Sequence, residues 1–303
     1  MTAAAREMRP YLAQPKAMPV GSPGKVGYLH LGFELDADGR SVMREWERRA
    51  PLIVQQELYF DECWPEMPCV YILSSGGPNV DGDRYTQSFA VRRGAFAHIS
   101  TGAATKLAEM RWNYSSLEQR FVLEEDAYLE YIPEPTIPCR HTRFLADTEI
   151  VADPTATLFY SEIYLSGRRY FGAGERFEYD ILSVCSRARR PDGRVLFREK
   201  FVIDPAAASP ETLGAMNGYD VFANVILLTP PEHAEALYAA TPAVIDRTRG
   251  LAAGITRLPG GAGLLYKVLG TETEAVKCAV RAFCSAVRRQ VKGRPLFEEF
   301  PWR

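Results

Sequence analysis

The chain has 303 residues, of which 47% are hydrophobic and 24% are charged, and its formal net charge is −2. This balance is typical of a globular protein with a sizeable core, and it argues against a nucleic-acid-binding protein, which usually carries a basic face. No run approaches the roughly 18 apolar residues of a membrane span. No secretory leader precedes the six cysteines. We therefore expect a soluble cytoplasmic protein with reduced thiols and no membrane partner.

The first part of the chain predicts an arm followed by a hairpin. Residues 1–24 contain four prolines and no hydrophobic period, which indicates a flexible arm or a strap. From Leu29 to Leu35 apolar and other residues alternate, as in a half-buried strand. Asp38-Gly39 is a hairpin signal, and SVMREWERR and LIVQQELYF read as the second and third strands.

Residues 25–204 predict a β-rich core. After a glycine-rich turn, short alternating segments recur with turn signals about every eight to twelve residues, which indicates a sandwich, a barrel or a β-solenoid. The segments are the stretch from Tyr85 to Val91, AFAHIST, SSLEQRFVLEEDAYLEYIPEP as two strands, FLADTEIV, TATLFYSEIYL, GERFEYDILSVCSRARR and RVLFREKFVID.

Residues 205–303 predict a smaller α+β lobe packed on that core. The segment PPEHAEALYAATPAVIDRT reads as a helix with a break at Pro242. Thr271 and Glu274 have the spacing of a capping box, and an amphipathic helix follows that ends near Gly293. The residues predicted to face the core from this second helix are Val276, Val280, Phe283 and Val287.

Motifs for enzyme chemistry are missing from the sequence. There is no G-x-S-x-G elbow, no H-E-x-x-H, no Walker A loop and no dinucleotide fingerprint, and only four histidines could serve as a base. Cys139 and His141 could supply half of a tetrahedral metal site, or they could form a turn with a buried thiol and an exposed imidazole. We favour a protein that is not an enzyme.

Two carboxylates stand in glycine-rich turns. Asp83 ends the turn that contains Gly76, Gly77 and Gly82, and Glu175 lies in GRRYFGAGERF. A carboxylate in such a turn can accept backbone N–H groups and so stabilise the fold, or it can be a weak oxygen ligand for a divalent ion. The residues alone leave both roles open.

The order of several segments resembles the UreD family of urease accessory proteins, also called UreH. The segments are APLIVQQELYFDE, YILSSGGPNVDGD, STGAATK, LEYIPEPTI, the stretch from Gly167 to Phe177, and a C-terminal helix with a short Pro-Trp tail. The resemblance runs from about Gly27 to Trp302. Pro78-Asn79 lengthens the family's glycine loop, and Asp81 stands where the family has a glycine. The positions that match family motifs are Gly76, Gly77, Gly82, Asp83, Thr101, Thr105, Lys106, Gly167, Arg168, Gly174 and Glu175.

The resemblance implies a maturation factor. Proteins of this family bind apo-urease and join UreF and the GTPase UreG, so that nickel reaches the urease active site. The implied fold is mainly β, a right-handed β-helix-like stack of short strands with a few helices. No tightly bound cofactor is expected, but nickel could pass transiently through an internal passage. The residues that we place on such a path are Asp83, Glu175, Cys139 and His141.

Two alternatives come from other functional classes. A carboxylate-dependent hydrolase would need Asp83 and Glu175 within about 5 to 10 Å of each other across a pocket. A β-rich ligand-binding module would show a concave aromatic patch. The aromatic residues that we nominate for that patch are Tyr128, Tyr131 and Tyr164.

Overall fold

The structure, a computed structural model, describes residues 5–16 and 22–297. Within them the chain is mainly β, with two α-helices, which confirms the predicted class. The strands are β1 (Val26–Leu35), β2 (Ser41–Arg49), β3 (Leu52–Ile53), β4 (Cys69–Ser74), β5 (Arg84–Val91), β6 (Phe96–Thr101), β7 (Thr105–Leu107), β8 (Ser115–Leu123), β9 (Tyr128–Tyr131), β10 (Thr136–Pro138), β11 (Arg143–Ala152), β12 (Thr157–Leu165), β13 (Ile181–Arg189), β14 (Val195–Ile203), β15 (Val221–Leu228), β16 (Val244–Asp246), β17 (Leu251–Arg257) and β18 (Gly263–Gly270). The helices are α1 (Pro231–Ala240) and α2 (Thr273–Lys292).

The strands form two sheets. The first has the order β14-β13-β11-β8-β5-β1-β2, and the second has the order β16-β17-β18-β15-β12-β9-β6-β4-β3, with β7 and β10 joined to it beside β12. In the middle of the chain β5, β8, β11 and β13 pair in parallel in the first sheet. The strands β4, β6, β9 and β12 pair in parallel in the second sheet. The chain thus passes repeatedly from one sheet to the other, and loops at the same corner lie side by side. The right-handed β-helix-like stack stays a prediction.

The main core lies between the two sheets. Phe89 and Phe121 of the first sheet contact Tyr131 and Tyr160 of the second, with ring centroids 5.1 to 5.5 Å apart across the sheets. On the other side of the second sheet α2 packs Phe283 on Phe159. Strand β12 is therefore buried on both faces, which explains why its sequence is a nearly continuous apolar run.

Three local predictions were wrong. The predicted third strand is limited to Leu52–Ile53, because pairing with β4 ends at Ile53, and further along only Leu58 forms an isolated bridge, with Cys69. The segment after Pro242 is strand β16 and not helix, since the residue before a proline is biased towards extended backbone.

The predicted capping box is also absent. Helix α2 begins at Thr273, its N-cap residue is Glu272, and no side chain caps it. The backbone of Thr271 instead bonds to Gly250, at 2.9 Å, which ties it to the preceding turn. The predicted apolar face of this helix and its end are confirmed: the four residues named above are buried, and Gly293 takes the left-handed conformation of a C-cap.

The described part of the N-terminal segment lies against the first sheet. Met8 is fully buried and packs with Tyr114 and Ile181, and Glu7 forms an ion pair of 2.6 Å with Lys200. Residues 1–4 and 17–21, which complete the predicted arm, lie outside the described residues.

At the other end of the chain, β15 pairs with β12, so the strands of the predicted lobe continue the second sheet. The domain boundaries at residues 24 and 204 stay predictions.

Candidate functional site

Asp83 is a fully paired, buried carboxylate. It accepts backbone N–H groups from Lys25 and Val80, both at 2.9 Å, and the Tyr85 hydroxyl at 3.1 Å. The Lys25 ammonium lies 2.8 Å from Asp83 Oδ2, the oxygen that also accepts from Val80 and Tyr85. Gly82 precedes it with φ of +75°, and a Cβ there would lie 2.6 Å from Pro15. Asp83 therefore holds the glycine loop on the start of β5, and its oxygens face protein donors.

A second acid closes the same loop. Asp81 is fully buried and accepts three successive backbone N–H groups, from Arg111 at 2.7 Å, Trp112 at 3.2 Å and Asn113 at 2.8 Å. The sequence places Asp81 beside Asp83 in this turn, but it does not predict these three backbone donors. The pattern of two acids separated by one glycine is a signal for such a loop, because each carboxylate can accept several backbone N–H groups.

The inserted dipeptide Pro78-Asn79 also has a defined place. The Asn79 N–H donates to Lys106 O, and Asn79 O accepts from the Ala108 N–H, both at 2.9 Å. The lengthened loop therefore pairs with β7. Because the inserted residues form backbone hydrogen bonds with β7 and the residue after it, the glycine loop lies directly beside that strand.

Glu175 is buried and is held by arginines. The Arg168 guanidinium donates to both of its oxygens, at 2.7 and 2.5 Å, and Arg140 lies 3.3 Å away. The hydrogen bonds from Arg168 hold the pKa of Glu175 below its usual range. Gly167 is required here, since a Cβ would lie 1.8 Å from Glu175 O. The family's Gly-Arg and Gly-Glu pairs are thus two sides of one closed loop.

Cys139 and His141 lie in the corner near Glu175. Burial raises the pKa of the half-buried Cys139 thiol, so it stays protonated at neutral pH. His141 is exposed, adopts φ of +56°, and places Nδ1 3.1 Å from Asp180. Within residues 5–16 and 22–297 no group of three or more His, Cys, Asp or Glu side chains is arranged to hold a metal ion. A role for these two residues in metal passage stays a prediction.

The structure separates Asp83 from Glu175. Asp83 precedes β5 and Glu175 precedes β13, and β8 and β11 lie between those strands in the first sheet. Three strand spacings correspond to about 14 Å. The two carboxylates do not form the pair that a hydrolase of the predicted type requires.

A cavity of about 660 Å³ lies between the two sheets. Its outer end is lined by the glycine loop and by Thr101, Thr105 and Lys106, and its inner end by polar side chains from both sheets. At the inner end the Gln119 amide donates to Gln87 at 2.9 Å and to the Tyr131 hydroxyl at 2.7 Å. The cavity therefore extends from surface loops that carry family motifs to a buried hydrogen-bond network.

Glu162 of β12 is the carboxylate at the inner end. One oxygen accepts the Tyr160 hydroxyl at 2.6 Å. Burial, assisted by the nearby Glu199 carboxylate, raises the pKa of Glu162 to about 7. Its position inside an apolar strand conceals Glu162 in the sequence. An acid within such a run is itself a signal, because acids are rarely buried without a partner.

The three nominated tyrosines do not form one patch. Tyr131 and Tyr164 line the cavity, but Tyr128 lies on the other side of the second sheet, beneath α2. Core packing and the cavity wall account for these rings.

Comparison with known proteins identifies the family. A family model described as UreD urease accessory protein matches residues 25–303. Urease accessory protein UreD 2 of Brucella suis biovar 1 (strain 1330) is 45% identical over 302 residues, which cover 100% of both chains. Urease accessory protein UreD of Yersinia pseudotuberculosis serotype O:1b (strain IP 31758) is 44% identical over 299 residues, which cover 99% of this chain and 93% of that protein.

Two further findings bear on the functional class. No helix among the described residues is long and apolar enough to cross a membrane. The matching family consists of accessory proteins, which is consistent with the lack of an enzyme motif in the sequence. The chain belongs to the UreD family of urease accessory proteins, has a role in urease maturation, and is not a catalytic enzyme.

Proposed function

We propose that this chain is a cytoplasmic scaffold or chaperone that binds apo-urease together with UreF and UreG and passes nickel to the urease active site through its internal cavity. The observation that carries the proposal is the cavity itself, whose outer end is formed by family-motif residues. Nickel is the cargo of this protein, and no resident cofactor is proposed.

The chemistry of the cavity favours transit over storage. Its wall is mainly apolar and offers a few carboxylate, amide, hydroxyl and backbone oxygens, with no Cys or His among the described residues that line it. A few oxygen ligands bind a borderline divalent ion more weakly than a Cys/His cage, so such an ion can exchange. A passage needs this property, because an ion that binds too tightly cannot leave.

Asp83 and Glu175 support the proposal as positioning residues. Asp83 fixes the loop that includes Gly77 and Pro78 at the cavity's outer end. Glu175 closes the loop that begins at Gly167. Since Lys25 and Arg168 already compensate these carboxylates, a direct contact with nickel would require either cation to move away.

Blocking the outer end of the cavity tests the conduit. Ala104 is partly exposed and lines the cavity, so Ala104→Trp places an indole in the opening. We expect the variant to co-purify with apo-urease, UreF and UreG as the wild type does, while urease activity and nickel content fall by about tenfold or more. Ala208→Trp, at an exposed position away from the cavity lining, is the matched control.

The outcomes separate the parts of the proposal. Full urease activation by Ala104→Trp with retained complexes would rule out the cavity as the route. Failure of the wild-type chain to capture apo-urease, UreF or UreG in co-expression pull-downs would overturn the scaffold role itself.

A further inference from the structure

An N-terminal strap, residues 5–16, crosses the face of the first sheet that is turned away from the second sheet. At its far end Glu7 pairs with Lys200 of β14 at 2.6 Å. In its middle the Tyr11 ring lies 4.4 Å from the guanidinium of Arg143 at the start of β11. The strap therefore runs across the strands of the first sheet, from β14 towards β5.

The near end of the strap lies on the glycine loop. The Ala13 carbonyl accepts the side-chain amide of Asn113 at 2.9 Å, just before β8. A Cβ at Gly82 would lie 2.6 Å from the Pro15 ring, so only glycine fits at this point of the loop without displacing the strap. The strap and the glycine loop are therefore in direct contact.

Asn113 connects the strap to the acid that closes the loop. Its backbone N–H donates to the Asp81 carboxylate at 2.8 Å. Its Oδ1 accepts the Arg84 guanidinium at 2.7 Å and the Tyr114 N–H at 2.9 Å. Because two donors face Oδ1, the amide must turn Nδ2 towards the Ala13 carbonyl. One buried residue thus joins the strap, the glycine loop and the start of β5.

We propose that the strap is a latch for the glycine loop and that Asn113 is the positioning residue that couples the two. Met8 is the one fully buried residue of the strap, whose regular structure is a single turn of 3₁₀ helix at Arg6–Met8. A segment with few buried contacts opens locally at a low cost in free energy. Release of the strap removes Ala13 and Pro15 from the loop, which then keeps only its own acids as anchors.

The latch bears on the cavity because of where the loop lies. Gly77 and Pro78 of the glycine loop line the outer end of the cavity. The strap stabilises this loop from the opposite side, at Gly82 and Asn113. The strap therefore determines how firmly the outer end of the cavity is held.

Amide hydrogen exchange of the full chain tests the coupling from the far end of the strap. Glu7→Ala removes contacts with Ser183 of β13 and Lys200 of β14. These strands are three or more strand spacings, about 14 Å or more, from β5. The amides of residues 111–113 donate to Asp81, and we expect them to exchange about threefold to tenfold faster in this variant.

The reciprocal variant acts from the loop. Asn113→Asp keeps the acceptor for Arg84 but replaces the donor to Ala13 with a carboxylate oxygen. The strap amides that bond within the strap, those of Met8 and Tyr11, should then exchange about tenfold faster. Asn217→Asp makes the same chemical change at an exposed turn and should leave both groups of amides as in the wild type.

The outcomes decide between a latch and an inert strap. Unchanged exchange at residues 111–113 in Glu7→Ala would overturn the latch, and unchanged exchange of the strap in Asn113→Asp would overturn the coupling role of Asn113. The amides of α2 report on global stability. If they also exchange faster in Asn113→Asp, that variant is unfolding as a whole and Glu7→Ala alone decides.

The test is independent of the proposed function. Exchange is measured on the chain alone, so failure of the pull-downs described above would leave a measured latch in place. Equally, unchanged exchange in Glu7→Ala would remove the latch without affecting the scaffold role.

Discussion

The glycine loop and the inner end of the cavity both contain buried carboxylates, but they treat the negative charge in opposite ways. In the loop, Asp83 has a lysine, two backbone N–H groups and a hydroxyl as partners. In the cavity, Glu162 accepts the Tyr160 hydroxyl and lies beside the Asn224 and Tyr164 side chains, with no cationic partner among the described residues. A carboxylate paired with a cation and backbone N–H groups holds the backbone in place, whereas burial without a cationic partner raises the pKa of a carboxyl group. Burial alone therefore does not determine whether an acid is neutralised.

The largest effect is expected when the paired loop acid is removed. Asp83→Ala leaves two backbone N–H groups and the Lys25 ammonium without their acceptor. Breaking a buried ion pair on one side typically costs about 3 to 5 kcal/mol. Urea unfolding should show a loss of this order, and the exposed Asp38→Ala should show almost none. A loss below about 1 kcal/mol would contradict a structural role for Asp83.

A smaller effect of opposite sign is expected for Glu162→Gln. The pKa of Glu162 is raised from 4.5 to about 7. Between pH 4.5 and 7 the folded state therefore holds a proton that the unfolded state has released. Wild-type stability should therefore be complete below pH 4.5 and should fall as the pH rises through 7. Relative to the wild type, Glu162→Gln should gain about 1 to 3 kcal/mol on going from pH 5 to pH 8. Thermal unfolding at the two pH values measures this, and no change in the difference would contradict an uncompensated carboxylate.

The smallest effect is expected at the second paired acid. Arg168 lowers the pKa of Glu175, so this pair contributes stability above the ordinary value of 4.5 and loses it as the pH falls through the lowered value. Glu175→Gln should cost about 1 to 2 kcal/mol at pH 7, because Arg168 is partly exposed and screened by water. The difference from the wild type should shrink towards acid pH. A cost that grows as the pH falls would contradict the assignment.

Local patterns predicted much of the fold. The alternation of apolar and polar residues predicted the positions of most strands, because a half-buried strand needs one apolar face. The apolar residues from Val276 to Val287 predicted α2, because they recur every three or four residues, which is the spacing of one face of a helix. The capping box at Thr271 failed because the helix begins two residues later, at Thr273, while the Thr271 N–H donates to Gly250 O. The motif residues of the glycine loop were recognised, but the partners of Asp81 were not predicted, since its three N–H donors lie about thirty residues away.

By itself, the sequence determined the strand pattern, the amphipathic C-terminal helix, the lack of an enzyme motif and the resemblance to the UreD family. These properties depend on neighbouring residues or on the order of motifs along the chain. Only the tertiary structure decided which acids are neutralised. The partner of Asp83 is 58 residues away at Lys25, and Glu162 meets Asn224 only after β12 pairs with β15. Electrostatic environment depends on distances in space, because Coulomb interactions and desolvation are set by the packed neighbours and not by sequence separation.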